Sequence, residues 1–116
     1  AADDAALLLR TSGTTARPKV VPLTPRGLHA GAVSIGRGIE LTEEDVCVNV
    51  MPLDHIGGIS CSLLASLFAG GSVFCASGFD PAQFVEWLSS LGPTWYYAVP
   101  TIHKAVALYA GGLPSG

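Results

Sequence analysis

Residues 10 to 20 read RTSGTTARPKV, and these eleven positions hold four hydroxyls, one glycine, one proline and three cations, directly after the apolar run Leu7-Leu8-Leu9. Hydroxyls, and backbone amides left open by glycine, can surround the oxygens of a polyphosphate, and a cation offsets its charge. Thr11, Ser12, Gly13, Thr14, Thr15 and Lys19 supply that set, and Pro18 stiffens the chain just before the ammonium. The spacing is neither the Walker-type GxxxxGK[ST] loop nor a GxGxxG fingerprint. On composition alone the stretch fits a solvated Ser/Thr turn equally well.

His55, after MPLD, and His103, within PTIHKAV, are the other candidates. An imidazole at the mouth of a strand can line a pocket, orient a carboxylate or gate a thiol, and its ordinary pKa of about 6.5 suits each task. His103 falls near the start of a helix, where backbone amides favour anions, so with His55 it could hold the second carboxylate of a dicarboxylic acid. Taken singly, each fits an ordinary surface or core histidine. Trp95, Tyr96 and Tyr97 read as packing, and Glu43, Glu44 and Asp45 as a solvated turn without chemistry.

Positioning such groups requires a frame, and short apolar segments alternate here with longer helix-like ones. ALLL (6 to 9) is a buried-strand run that ends at the polar loop. TPRGLHAGAVSIGRGI predicts a helix capped by Thr24 with Pro25 first, burying Leu28, Val33 and Ile35. Val46, Val48 and Val50 alternate as in a strand, GISCSLLASLFAGG reads as a helix, and SVFCAS as a strand. DPAQFVEWLSSLG predicts a helix from the Asp80 cap to the Gly92 stop, TWYYAV a strand, and PTIHKAVALYAGG a last helix. This alternation predicts an α/β fold, a parallel sheet flanked by helices. Ligands in such sheets sit beyond the carboxyl ends of the strands, which directs attention to residues 10 to 19, 51 to 58 and 99 to 103.

The chain of 116 residues suits one domain. With 49% hydrophobic and 13% charged residues it is not a disordered segment, and much of its surface should be apolar or covered. A net charge of -3 and six scattered cations provide no basic stripe for nucleic acid. Residues 56 to 79 carry no charge over a length that could cross a bilayer, but Gly70-Gly71 divides them into helix, turn and strand, so no transmembrane segment is expected. Cys47, Cys61 and Cys75 fit neither a disulfide framework nor a metal knuckle and read as reduced, buried thiols. The opening AADDAALLL and closing GGLPSG read as cuts through a longer protein.

TSGTTARPK resembles the phosphate-binding loop of the adenylate-forming enzymes, namely acyl-CoA synthetases, adenylation domains of peptide synthetases, and luciferases, whose pattern is approximately TSGTTGxPKG. Seven of its nine specified positions match without gaps. MPLDHIGGI (51 to 59) resembles the family's PLxHxxG motif and VPT (99 to 101) a third, in the expected order. The wording of PKVVPLT and TWYYAVPTIH is most similar to the branch holding oxalate-CoA ligases and short-chain acyl-CoA synthetases.

The resemblance implies that residues 1 to 116 are a fragment of the AMP-binding N-terminal domain, packing against the remainder of its enzyme and inactive alone. It implies two half-reactions: a carboxylate attacks the α-phosphate of ATP to give acyl-AMP and pyrophosphate, then the thiol of coenzyme A displaces AMP, with Mg²⁺ sharing the phosphate charge. Thr11, Ser12, Gly13, Thr14 and Thr15 would grip the β- and γ-phosphates, Lys19 would hold the departing pyrophosphate, and His55 and His103 would face the acid. Lys19 and Thr11 carry the catalytic assignment. Asp54, where the family often has an aromatic, favours a small or polar acid. Family glycines are replaced by Ala16 and Val20, and if they serve positive φ the loop is reshaped. Two other readings stand: an adenylation domain loading a carrier protein, and a non-catalytic nucleotide-binding or interaction domain. The expected compartment is cytoplasmic or peroxisomal.

Overall fold

The structure, a computed structural model, describes residues 4–10, 17 and 19–111. Two sheets form. Strand β1 (Leu7–Arg10) pairs antiparallel with β2 (Val20–Leu23), from Leu7 opposite Leu23 to Arg10 opposite Val20. The expectation that the first apolar run joins the parallel sheet is thereby corrected: it builds a hairpin with a strand that the sequence pattern does not announce. Pro22 hides β2 from a pattern search, yet a short two-stranded ribbon tolerates a residue without an N–H. The β-branched pair Val20-Val21 supplies the strand preference.

Helix α1 (Pro25–Gly38) begins as its sequence demands, with the Gly27 N–H donating to Thr24 Oγ1 at 3.0 Å and Pro25 at the first position. Its fully buried residues are the small Ala32 and Gly36; Leu28, Val33 and Ile35 are only half-buried. Small side chains let α1 lie close on the next helix, so the buried stripe is not the aliphatic one.

The second sheet is parallel, in the order β4 (Ser72–Cys75), β3 (Val46–Asn49), β5 (Trp95–Tyr97). Helix α2 joins β3 to β4; it is π-helical over Gly57–Leu64 and α-helical over Ala65–Phe68, and ends at Gly70, whose φ is 83°. Helix α3 (Pro81–Ser90), capped by Asp80 accepting from the Ala82 N–H at 3.3 Å, leads to β5, and α4 (Pro100–Gly111) follows.

Three layers result. Phe84 of α3 packs on Val48, Val50 and Ala98, joined by Tyr96 and by Ile102 and Val106 of α4, so α3 and α4 cover one face. Cys47 and Asn49 point to the other face, which α2 covers with α1 outside it. Because β3 has helices on both sides, its even and odd residues are buried alike, not only Val46, Val48 and Val50. Among the described residues no helix is long and apolar enough to cross a membrane.

Candidate functional site at the carboxyl edge of the parallel sheet

The chain leaves β3 into α2 on one face and leaves its neighbour β5 into α4 on the other. Such opposed exits place ligand crevices in open α/β sheets, and residues 50 to 58 and 98 to 103 stand at this one.

The first of these loops is folded tightly on itself. Asn49, the last residue of β3 and 1% exposed, accepts from the Met51 N–H at 3.0 Å and donates from Nδ2 to the Gly58 carbonyl at 3.3 Å. The His55 N–H donates to the Pro52 carbonyl at 3.1 Å, and the Gly58 N–H donates to the His55 carbonyl at 3.0 Å. The Gly57 N–H donates to His55 Nδ1 at 3.0 Å. Nδ1 is therefore the unprotonated ring nitrogen, and the neutral imidazole carries its proton on Nε2 as a donor. His55 is exposed, as is its neighbour Asp54. A donor of this kind can hold a carboxylate or a developing oxyanion.

Tyr97 of β5 flanks the same turn: a methyl at Gly57 would lie 2.5 Å from its Cε1 and 3.0 Å from His55 Nδ1. Cys61, one turn into α2, faces the Tyr97 hydroxyl; burial pushes this thiol above its ordinary range, and the Tyr97 hydroxyl partly opposes that. The nearby Cys61 raises the Tyr97 phenol in turn. Both groups are thus neutral at pH 7, and the wall beside His55 offers a hydroxyl and a thiol without charge. Composition had marked the tyrosine only as packing and the cysteine only as a buried thiol, since neither belongs to a charged or spaced pattern.

His103 lies elsewhere. Tyr96, which alternates with Tyr97 and so points to the opposite face of β5, places its hydroxyl 2.7 Å from His103 Nδ1, with the rings 5.0 Å apart. The structure therefore puts His55 and His103 on opposite faces of β5, each with a local partner, and does not join them into one clamp. The thiols also differ from expectation: Cys47 is buried, Cys61 half-buried and Cys75 exposed.

Thr11, Ser12, Gly13, Thr14, Thr15 and Ala16 lie outside the described residues. Lys19 is described, exposed and next to β2, at the return of the hairpin. Val20 sits in that strand, and among the described residues only Glu40, Gly70 and Gly92 have positive φ. A glycine is not required there. Among the described residues no group of His, Cys, Asp and Glu could hold a metal ion.

Comparison with known proteins agrees with this fold. The chain is 45% identical over 106 residues to an oxalate-CoA ligase of Arabidopsis thaliana, covering 90% of this chain and 21% of the relative. It is 40% identical over 100 residues to a sulfoacetate-CoA ligase of Cupriavidus necator, covering 86% and 20% respectively. It superposes on the o-succinylbenzoate-CoA synthetase of Bacillus subtilis, solved with ATP and magnesium, with a TM-score of 0.87 and 30% identity, over 98% of this chain and 24% of that one. The chain thus spans about one fifth of the length of these curated relatives. Residues 1–114 match the family described as AMP-binding enzyme, and the chain belongs to that family.

Proposed function

We propose that the full enzyme containing this chain is an ATP-dependent acid-thiol ligase that activates a small or dicarboxylic acid as acyl-AMP and passes the acyl group to coenzyme A. The observation that carries this reading is the His55 loop: an exposed imidazole whose Nδ1 accepts from the Gly57 N–H, leaving Nε2 as the free ring nitrogen, at the carboxyl edge of the sheet in a chain of the AMP-binding family. The oxalate- and sulfoacetate-CoA ligases, both named for short acids with a second anionic group, support the substrate class. Exposed Asp54 and the uncharged Tyr97-Cys61 wall fit a polar acid better than a long aliphatic one.

In this mechanism ATP supplies the electrophilic phosphorus, and magnesium travels with its phosphates. Lys19 stands beside β2, four residues after Thr15 in sequence; Thr11, Ser12, Gly13, Thr14 and Thr15 grip the phosphates and the Lys19 charge offsets the pyrophosphate. His55 orients the acid. His103, held by Tyr96, supports the wall of the opposite face instead of pairing with His55 on one substrate.

The test is pyrophosphate exchange by the full enzyme with ATP, Mg²⁺ and oxalate, sulfoacetate or a long-chain acid, followed by AMP release on adding coenzyme A or a pantetheinylated carrier protein. Exchange with the short acids and release by coenzyme A support the reading. Silence toward every acid overturns it, and release only by the carrier overturns the acceptor. Lys19→Ala should slow exchange by about 100-fold or more while leaving the enzyme folded.

A further inference from the structure

Asn49 occupies a position that the sheet gives no reason to make polar. It lies between Val48 and Val50 on the central parallel strand, where aliphatic residues are the rule and where asparagine has poor strand preference. Burying its amide without partners would destabilise the fold. Cys75 Sγ stands 4.0 Å from Asn49 Nδ2, and the closer partners are Met51, by its N–H, and Gly58, by its carbonyl. Those residues begin and end the loop that carries His55.

We propose that Asn49 is a positioning residue for acid activation, acting through His55; this inference rests on the ligase reading above. The connection is short. The Nδ2 bond fixes the Gly58 carbonyl and so the first turn of α2. That turn supplies the Gly57 N–H that sets the His55 ring and the Gly58 N–H that closes on the His55 carbonyl. The Oδ1 bond fixes the other end at Met51, and the Pro52 carbonyl lies so close to Gly58 that a methyl there would overlap it, so the two ends move together. Freeing either end lets the ring turn, and a carboxylate held by one Nε2–H donor loses its place.

A double-mutant cycle in the full enzyme tests this, with pyrophosphate exchange measured over varied acid and varied ATP. Asn49→Ala should lower kcat/KM for the acid about 10- to 100-fold with KM for ATP within about twofold. Asn49→Ser can keep a hydroxyl acceptor for the Met51 N–H and loses the donor for Gly58, so it should fall between. Asn49→Ala/His55→Ala should match His55→Ala within about twofold, because the first residue acts through the second. Hydrogen exchange of the segment 50 to 59 should be at least about tenfold faster in Asn49→Ala, with or without substrate. Multiplying effects in the double variant, unchanged exchange in that segment, or a loss that scales with the unfolded fraction would each overturn the proposal. If Asn49→Ala does not fold, Asn49→Ser carries the same cycle. An unmodified enzyme silent toward every acid overturns the ligase reading and the proposal with it, whereas an active enzyme with an additive cycle overturns the role of Asn49 alone.

Discussion

Gly57 and Gly58 have no space for a side chain, and for different reasons. A Cβ at Gly57 would press on the Tyr97 and His55 rings, whereas one at Gly58 would meet backbone at Pro52. Rings can turn aside, but the loop backbone cannot, being tied at Met51, His55 and Gly58. Gly58→Ala should therefore destabilise the full enzyme by about 1–3 kcal/mol, as overpacking does, seen in thermal or urea melts. Gly57→Ala should cost less stability than Gly58→Ala and raise KM for the acid, because the His55 ring must turn away from the new methyl. Cys47 makes a separate prediction. It is 0% exposed, and burial raises its thiol from 9.0 to about 11. A folded pKa above the unfolded one contributes stability that is complete below pH 9.0 and fades as pH climbs toward about 11. Melting temperature should fall over that window, and less so in Cys47→Ala; an identical fall in both would refute the assignment. Exposed Cys75 should react with a maleimide long before Cys47 does.

At the scale of elements, the turn before β3 is tied to the start of β5 by one carboxylate. Asp45 Oδ2 accepts from the Thr42 N–H at 2.8 Å and Oδ1 accepts from the Thr94 hydroxyl at 2.8 Å, while Thr94 Oγ1 accepts from the Val46 N–H at 2.9 Å. These bonds, the Thr42 N–H first, hold the Asp45 carboxyl below its ordinary 3.8. A depressed folded pKa gives stability that is full above 3.8 and lost as pH falls through the folded value. Asp45→Asn should thus lower stability near neutrality and flatten its decline on acidification, measured by melts from about pH 6 to pH 2. The sequence had shown this stretch only as a solvated turn, because the partner Thr94 is 49 residues away. Elements whose cause is local were legible: the Thr24 and Asp80 caps, the prolines that follow them, and the Gly70 and Gly92 stops. What depends on distant packing was not. β2 needs β1 beside it to be a strand, Ala32 and Gly36 become core only against α2, and Asn49 gains its meaning from Gly58. His55 was legible as a candidate from its motif; its tautomer, and its separation from His103, required the fold.

At the scale of the whole molecule, the parallel sheet of the described residues has only three strands, with β4 and β5 as its edges. Apolar side chains stand open around it and on the hairpin: Leu8 is 64% exposed and Leu108 70% exposed. An open edge and uncovered apolar side chains favour association with whatever chain is near. The site is equally open, since His55 and Lys19 are exposed, and the chain spans only about one fifth of the relatives it matches. Electrostatic stabilisation of a departing pyrophosphate needs a site closed to water, where each donor is worth far more than in solvent. Residues 1–116 made alone should therefore self-associate at micromolar concentration and show no ATP-pyrophosphate exchange with oxalate and Mg²⁺, while the full enzyme remains dispersed and active. Light scattering and radiolabelled exchange on the two proteins side by side measure both. Exchange by the short protein would mean that residues 1–116 suffice for adenylation without the rest of the enzyme.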